Sequence, residues 1–295
     1  MKVLVVGGAG YIGSHMVKML DRKGYSVTTL DDLSSGHRDA VLAGESVNHP
    51  DMYNKNNFVN TLTLLDAMRA HNVKKFIFSS TAATFGEPHY MPIDELHPQQ
   101  PINPYGRTKL MVEQLLADYD TAYGLKSVCL RYFNAAGADP GGQLGERHDP
   151  ETHLIPLVLQ VASGRRPHIS VFGRNYDTPD GTCKRDYIHI QDLCSAHWLA
   201  LKSLINGAER QAYNLGNGTG FSVQEVIDTA EKVTGRKIRV VDDHRRAGDP
   251  ARLVADSRLA REKLDWHPQY ADLATIIEHA WQWEVRQTGR LVAQV

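Results

Sequence analysis

The sequence predicts an α/β protein whose core is a doubly wound parallel sheet, and three observations predict this class. Short continuous apolar runs, the first at Lys2–Val6, are typical of strands buried on both faces of a parallel sheet. Stretches with apolar residues every three or four positions alternate with these runs. A glycine-rich turn, Gly7–Gly13, joins the first strand to the first helix. Strands that alternate with helices form parallel sheets with helices on both faces.

The elements of the first half follow from this alternation in order. A helical pattern after Gly13 stops at Gly24, because glycine adopts the left-handed conformation that ends a helix at little energetic cost. The other predicted elements are a strand at Tyr25–Leu30, a helical turn at Arg38–Leu42, a helix over Met52–His71, a strand at Lys75–Ser79, a helix behind Pro104 at Tyr105–Tyr123, and a strand at Ser127–Tyr132. Between Asp31 and Lys75 no further strand is found, so this half is one βα unit short of a dinucleotide-binding half.

The composition of the sequence changes after Asn134, where a long connection rich in Gly, Asp and Pro indicates a domain boundary. We predict domains at 1–133, with 186–216 returning to it, and at 134–185 plus 217–295 as a smaller C-terminal α/β substrate domain. The predicted elements beyond the boundary are Leu154–Ala162, Ile188–Leu204, Val223–Thr234, Leu259–Leu264 and Leu273–Val285 as helices, and Ile169–Phe172 and Arg239–Val241 as strands.

Composition narrows the function classes. The 295 residues carry 33 Lys and Arg against 34 Asp and Glu, a net charge of −1 without basic blocks. This balance argues against a nucleic-acid or membrane-surface partner. No run approaches the roughly 18 apolar residues of a membrane span, and the N-terminus does not resemble a signal peptide. Three widely spaced cysteines fit a reducing cytoplasm. No pair among the 14 histidines has convincing metal spacing, so no metal site is predicted.

The glycine-rich turn predicts a dinucleotide site of the Rossmann type. A missing side chain lets the backbone approach a pyrophosphate at the helix N-terminus. Asp31 ends the next strand, where an acidic residue accepts hydrogen bonds from the adenosine ribose. The alternative is a tight turn that binds nothing, and the position of Asp31 disfavours it. NAD is favoured over NADP, a choice that the nearby Arg38 leaves open.

A second group of residues has the character of a proton-transfer site. Tyr105 and Lys109 stand four apart at the start of a helix and therefore share a face. A lysine ammonium beside the phenol favours its ionised form and makes it a usable base. Ser79, Ser80 and Thr81 follow a parallel strand, where ligands bind in open α/β sheets. The alternative is an interfacial tyrosine beside an exposed lysine.

Longer strings carry a specific resemblance that runs over nearly the whole chain. These strings are GGAGYIGSH at Gly7–His15, SSTAATFGEP at Ser79–Pro88, NPYGRTK at Asn103–Lys109, LRYFNAAGA at Leu130–Ala138 and DGTCKRDYIH at Asp180–His189. With them the chain resembles the UDP-glucose 4-epimerases of the extended short-chain dehydrogenase/reductase superfamily. The resemblance implies a Rossmann-type NAD-binding domain, a UDP-sugar-binding domain, tightly held NAD and a homodimer built on the Met52–His71 and Tyr105–Tyr123 helices.

The resemblance also assigns the site residues. The catalytic set is Thr81, Tyr105 and Lys109, with Tyr105 as the base for the C4 hydroxyl of the sugar. The cofactor set is Gly7, Gly10, Tyr11, Ile12, Gly13, Asp31, Asp32, Ser35, Asn56, Ser79, Tyr105, Lys109 and Tyr132. The substrate set is Thr81, Phe133, Asn134, Leu154, Phe172, Arg185, Tyr187, Arg246, Asp249 and Leu253. Taken singly, Phe172 could also be core, and Asp186 and Asp249 could be ion partners of the arginines.

One departure from the family leaves a second interpretation open. Leu42-Ala43-Gly44 runs directly into Glu45-Ser46-Val47, whereas relatives carry here a further βαβ-sized segment of some 30 residues or more. Its second strand lies beside the first strand of the sheet, so its loss leaves that strand with an unpaired edge. A non-catalytic remnant that binds UDP-sugar but not NAD is therefore the alternative. A nucleotide-sugar 4,6-dehydratase is disfavoured because Ala82-Ala83 stand where it needs an acid and a base.

Overall fold

The computed structural model describes residues 1–33, 45–148, 150–246 and 249–292. Ser35 and the predicted turn at Arg38–Leu42 lie outside these residues. Within them, no helix combines the length and the apolar character that crossing a membrane requires.

The first half alternates strands and helices as predicted. Strands β1 (Lys2–Val6) and β2 (Ser26–Leu30) flank helix α1 (Tyr11–Arg22) and pair in parallel, with Lys2 opposite Ser26. The elements that follow are α2 (Glu45–Asn48), α3 (Pro50–Tyr53), a π-helical turn at Asn54–Val59, α4 (Asn60–Ala70), β3 (Lys75–Thr81), a 3-10 turn at Ala82–Thr84, α5 (Pro104–Tyr123) and β4 (Lys126–Tyr132).

The second half contains more strands than the sequence predicts, and most of the additional ones have two or three residues. Its elements are β5 (Asn134–Ala136), α6 (Leu154–Ala162), β6 (Ile169–Phe172), β7 (Lys184–Arg185), β8 (Tyr187–His189), α7 (Ile190–Ile205), β9 (Gln211–Leu215), β10 (Phe221–Ser222), α8 (Val223–Thr234), β11 (Val240–Asp243), β12 (Arg252–Leu253), α9 (Arg258–Leu264) and α10 (Leu273–Val292). The prediction of one helix over Ile188–Leu204 is wrong at its start. His189 caps α7 by accepting a hydrogen bond from the backbone N–H of Gln191 at 3.1 Å, so the residues before it are extended.

A parallel sheet in the order β3-β4-β9 carries helices on both faces. On one face, α1 and α7 pack in a core cluster that includes Leu20, Leu130 and Leu193. On the other face, α4 and α5 pack through Leu65 and Leu116. This arrangement confirms the doubly wound parallel α/β architecture.

The pair β1-β2 forms a separate sheet. In the described residues β1 pairs only with β2, and β3 pairs only with β4, so one edge of each strand has no neighbouring strand. Leu4 and Val6 of β1 are 50% and 53% exposed. The prediction that β1 is buried on both faces is therefore wrong. Val3 and Val5 face the core cluster of α1 and α7, whereas no element of the described residues covers the opposite face.

A second core lies between α6, α8 and α10 and includes Val158, Val226 and Ile276. The strands β6 and β11 pair in parallel beside it. The strand β9 and helix α7, by contrast, belong to the first sheet and its core. Trp266, which the predicted boundaries place in the second domain, is also buried in that first core, where its indole N–H donates to the Asp192 carbonyl at 3.0 Å.

Candidate functional site

The glycine turn between β1 and α1 has the geometry of an anion-binding helix start. Gly7 has a φ of +74°, and a side chain at position 13 would place its Cβ 2.0 Å from the Gly7 carbonyl oxygen. Gly10 is the N-cap of α1, and no side chain of the described residues caps this end. Tyr11 and Ile12 follow in the first turn. The backbone N–H groups of such a helix start can bind a pyrophosphate.

Asp31 holds the glycine turn from the end of β2. Its Oδ2 accepts from the backbone N–H of Ala9 at 2.8 Å, and its Oδ1 accepts from Leu33 at 2.9 Å. Each carboxylate oxygen has a further lone pair for a ribose hydroxyl. Asp32 is exposed beside it, and Asn56 is exposed on the π-helical turn. The structure therefore places Asp31 beside the turn, as the cofactor prediction requires, while Ser35 lies outside the described residues.

Tyr105 and Thr81 meet because α5 begins against the end of β3. Asn103 caps α5 by accepting from Gly106 N–H at 2.8 Å, and Pro104 occupies the first turn. Gly106 lies so close to the turn after β3 that a Cβ there would stand 2.3 Å from the Ala83 carbonyl oxygen. The close approach places the Tyr105 phenol beside the Thr81 hydroxyl.

Lys109 lies one turn further along α5. Its Nζ donates to the Ser79 carbonyl oxygen at 3.0 Å and lies 5.8 Å from the centre of the Tyr105 ring. The Ser79 hydroxyl is 2.9 Å from Nε2 of His197 on α7 and lies beside the Tyr132 phenol. The predicted catalytic and nicotinamide-side residues thus form one cluster at the carboxyl end of β3.

Burial shifts the two central pKa values in opposite directions. It raises the pKa of Tyr105 to about 12, against the opposing effect of the Thr81 hydrogen bond. It lowers the pKa of Lys109 to about 8, against the opposing charge of Glu113. Lys109 is therefore still protonated at neutral pH. Tyr105 needs a nearby positive charge beyond Lys109 to act as a base, and a bound nicotinamide cation has that charge.

Sequence reasoning missed a buried ion pair between β4 and α5 that lies next to this cluster. Arg131 on β4 donates to Glu113 on α5 through Nε at 3.0 Å and Nη2 at 2.6 Å, and both side chains are less than a tenth exposed. Ser80 donates to the same carboxylate at 2.5 Å. Glu113 stands one helical turn after Lys109, and this spacing was the only available signal.

Phe172 and Arg246, two residues of the predicted nucleotide site, are in contact. The Arg246 guanidinium carbon lies 3.8 Å from the centre of the Phe172 ring, a cation–π contact. Phe172 ends β6 and is half-buried, while Arg246 is exposed. An aromatic ring and a guanidinium at the surface can stack on a base and bind phosphate oxygens.

Arg185 is held in an ion pair with Asp249, the plainer of the two roles weighed for these residues. Its Nη1 also donates to the carbonyl oxygens of Lys184 at 2.8 Å and Pro250 at 2.9 Å. Asp186, weighed as another arginine partner, instead accepts from the backbone N–H groups of Asn217, Gly218 and Ala255 in the core. The idea that Asp186 pairs with an arginine is therefore wrong, because its buried carboxylate is bonded by amides.

The other predicted substrate residues lie on or beside β5, β8, β12 and α6. Asn134 donates through Nδ2 to the Asp186 carbonyl oxygen at 3.0 Å, and Phe133 beside it is half-buried. Leu253 on β12 is half-buried and lies opposite Arg185 on β7. Tyr187 is buried in the second core, and Leu154 opens α6 against the same core.

An open cleft of about 480 Å³ borders the Arg185–Asp249 pair. Its wall carries charges that sequence reasoning did not single out. The lining residues are Glu87, Pro88, Met91, Asp177, Arg245, Asp249, Pro250, Ala251 and Arg252. Arg245 lies over the ring of Tyr176 at 4.0 Å, which fixes its position at the rim.

Comparison with known proteins places this geometry among epimerases. The chain is 48% identical to the UDP-glucose 4-epimerase of Halalkalibacterium halodurans, over 96% of this chain and 95% of that protein. It is 49% identical to that of Rhizobium meliloti, over 97% of each. The UDP-glucose 4-epimerase structure from Brucella ovis in complex with NAD has a TM-score of 0.92 at 47% identity, over 95% of this chain and 97% of that chain.

The family match also locates the missing segment. The family described as the NAD dependent epimerase/dehydratase family matches residues 3–44 and 40–216, two pieces that meet where the sequence predicts the interruption. Both alignments above run over more positions than the 295 residues of this chain, so the relatives carry residues with no counterpart here. The matched pieces span more than half of the chain. The chain belongs to the NAD dependent epimerase/dehydratase family.

Proposed function

We propose that this chain interconverts UDP-glucose and UDP-galactose by epimerisation at C4 of the sugar, with NAD as its cofactor. The single observation that carries the proposal is the position of the Tyr105 phenol beside the Thr81 hydroxyl at the carboxyl end of β3, with Lys109 next to them. Relatives 44–49% identical to this chain are named UDP-glucose 4-epimerase.

The residues present fit NAD at the first helix start. A Cβ at position 10 would meet only the Gly7 carbonyl oxygen, at 3.4 Å, so the space beside Gly10 is open in the described residues. A pyrophosphate can therefore reach the N-terminal N–H groups of α1. Asp31 would bind the adenosine ribose, and Lys109 with Ser79 and Tyr132 would border the nicotinamide side. When bound, NAD supplies the acceptor and donor of the C4 hydride.

Tyr105 and Thr81 carry the proton chemistry of the proposal. Thr81 orients the C4 hydroxyl of the sugar, and Tyr105 takes its proton and later returns it. Lys109, charged at neutral pH, favours the phenolate of Tyr105 and binds a ribose hydroxyl. The Glu113–Arg131 pair holds Ser80, and with it the end of β3, in place.

The second half supplies the UDP contacts of the proposal. Phe172 stacks on the uracil, and Arg246 turns from the ring to the phosphate oxygens. Arg185 binds the second phosphate, with Asp249 keeping its guanidinium in position. Leu253 stands where it can border the sugar, because β12 pairs with the strand that carries Arg185.

Two measurements, of bound nicotinamide cofactor and of UDP-galactose turnover, test the proposal together. The purified chain is denatured, the released cofactor is measured by its absorbance, and UDP-galactose conversion is followed with NAD added. We expect released or added NAD to support conversion to UDP-glucose. Binding of UDP without any NAD binding or conversion would instead support the non-catalytic remnant.

A homodimer through one helical face is part of the proposal. Four large apolar side chains on α3, the π-helical turn and α5 are 37–49% exposed, namely Met52, Val59, Met111 and Tyr123. These elements pack against one another, and exposed apolar side chains on adjoining helices suit a self-complementary two-fold interface. Light scattering after size exclusion should give a dimer for the wild type and for the control Leu96→Glu, at a residue 89% exposed elsewhere. Val59→Glu should give a monomer, and a dimeric Val59→Glu would contradict this interface.

A cytoplasmic location completes the proposal. Cys129, Cys183 and Cys194 are free, and Cys129 and Cys194 are buried. Free thiols persist in reducing compartments, where NAD and nucleotide sugars are also at hand. Cell fractionation would test this, and recovery outside the cytoplasmic fraction would contradict it.

A further inference from the structure

A segment of the second half brings four metal-binding side chains together. Glu146, His148, Glu151 and His153 follow one another at intervals of two, three and two residues. One ligand atom from each lies within 4.8 Å of the others. The proposed epimerisation uses none of these side chains.

Three of the four side chains are shielded from solvent. The side chains of Glu146 and Glu151 are 5% exposed and that of His148 is 8% exposed. Nδ1 of His148 lies 3.2 Å from Oε1 of Glu146 and 3.6 Å from Oε2 of Glu151, and Nδ1 of His153 lies 3.8 Å from Oε1 of Glu151. His153 also contacts Glu146 directly.

One buried nitrogen of the cluster has no hydrogen-bond partner. Nδ1 of His148 makes no hydrogen bond in the described residues, although it is aimed between the two carboxylates. A buried polar atom without a partner costs about 1–3 kcal/mol. A cation at the centre of the cluster would pair this nitrogen and both carboxylates at once.

Protonated histidines are the alternative source of positive charge. Burial opposes the charge on His148, but Glu146 and Glu151 outweigh it and raise the pKa of His148 to about 9. In that arrangement the four side chains neutralise one another as two ion pairs. It leaves Nδ1 of His148 without a hydrogen bond of good geometry, whereas a metal ion bonds to neutral imidazoles directly.

The donor set and its spacing favour zinc. Two imidazole nitrogens and two carboxylate oxygens are ligands that Zn²⁺ takes in tetrahedral sites, at about 2.0–2.2 Å. The corners of such a tetrahedron are roughly 3.4 Å apart. The separations of 3.2 and 3.6 Å from Nδ1 of His148 to the two carboxylates lie close to this value. One ligand atom from each of the four residues lies within 4.8 Å of the others, so side-chain movements can complete the geometry.

Neighbouring groups already orient the cluster. Glu151 Oε1 accepts from the backbone N–H groups of Thr152 at 2.8 Å and of His153 at 2.9 Å. The Trp283 indole on α10 donates to the Glu146 carbonyl oxygen at 2.8 Å. The ring of Tyr11 on α1 meets His148 edge to face, with ring centres 6.5 Å apart. Such outer contacts are what a metal site needs to hold its ligands.

We propose that Glu146, His148, Glu151 and His153 bind one structural Zn²⁺ ion that fastens this segment between α1 and α10. Leu154, the first residue of α6, follows the last ligand directly. The ion would therefore fix the start of α6 relative to the glycine turn that precedes α1. Metal binding does not depend on the epimerase proposal.

Cobalt and zinc binding by the full chain test the site. After dialysis against a chelator, Co²⁺ is added and the visible spectrum is recorded, and Zn²⁺ affinity is measured by competition with a chromogenic chelator. We expect one ion per chain, visible bands typical of tetrahedral Co²⁺, and bleaching of those bands by one equivalent of Zn²⁺. Absence of saturable binding by the wild type would overturn the proposal without any variant.

His153→Gln and His267→Gln form a matched pair of variants. His153 is the most exposed ligand, at 41%, and is the least demanding to replace. His267 is an exposed histidine beside Asp265, far from any such cluster in sequence. His153→Gln should weaken Zn²⁺ binding at least about tenfold, and His267→Gln should leave it unchanged. Equal affinity in wild type and His153→Gln would overturn the assignment.

Discussion

Glu113→Gln tests the buried ion pair that supports the carboxyl end of β3. Arg131 donates to Glu113 through two nitrogens at 3.0 and 2.6 Å, and Ser80 and Gln99 donate at 2.5 and 3.1 Å. Glutamine keeps the shape of the side chain but loses the charge. The Arg131 guanidinium, 8% exposed, then stays charged and buried without a counter-ion.

The expected cost follows from that burial. Removing one partner of a buried pair destabilises a protein by about 3–5 kcal/mol. Each kcal/mol lowers the unfolding temperature by about 2–4 °C in a chain of this size class, so the midpoint should fall by roughly 6–20 °C. Thermal unfolding followed by far-ultraviolet circular dichroism measures this. Lys237→Gln is the control, because Lys237 is 93% exposed in its pair with Glu231 and should leave the midpoint nearly unchanged. A Glu113→Gln midpoint equal to that of the control would refute the reasoning.

Three further predictions concern ligands. Arg185→Ala and Arg246→Ala should each weaken UDP binding by about 1.5–3 kcal/mol in calorimetric titration, the scale of a hydrogen bond to a charged group; unchanged affinity in both would remove them from the diphosphate site. Leu253→Tyr should reduce turnover of UDP-N-acetylglucosamine more than that of UDP-galactose, because leucine leaves room beside the C2 substituent, and equal effects on both substrates would retire this role. Burial lowers the pKa of Lys109 to about 8, so its charge is present below that pH and lost above it. NAD retention, measured by equilibrium dialysis from roughly pH 7 to 9, should therefore fall as the pH rises, and a flat profile would contradict the role of Lys109.

Regular, strongly periodic elements could be predicted from the sequence, and very short strands could not. The bounds predicted for Leu154–Ala162 and Val223–Thr234 are those of α6 and α8. The strands β5 and β8 have three residues each, too few for a period to show. They form because each pairs with the other in parallel, a long-range contact that local patterns do not contain.

The exposed face of β1 shows a limit of a different kind. Its five residues carry the apolar pattern of a central strand, and the pattern predicts burial on both faces. Leu4 and Val6 are nevertheless half exposed, because the described residues contain no element to cover them. The sequence indicated that one βα unit is lacking, and the family match interrupted at residues 40–44 agrees with this.

The candidate site likewise has parts that the sequence predicts and parts that only the fold reveals. The proximity of Tyr105 and Lys109 could be predicted because four-residue spacing on a helix is visible in a sequence, and the structure brings Thr81 to them. The partnership of Glu113 with Arg131 joins a helix to the next strand, so it required the fold. The Glu146–His153 cluster is local in sequence, yet the histidine pair alone gave no metal pattern, since half of its ligands are carboxylates.

UDP-galactose turnover by wild type and Tyr105→Phe, each with NAD added, tests the central claim most directly. Phenylalanine removes only the hydroxyl that lies beside Thr81, so UDP affinity by calorimetry should stay near that of the wild type. We predict that the wild type converts UDP-galactose to UDP-glucose and that the variant is at least about 100-fold slower. A variant that keeps most of the wild-type rate, or a wild type that binds NAD and UDP-galactose without converting them, would contradict the account.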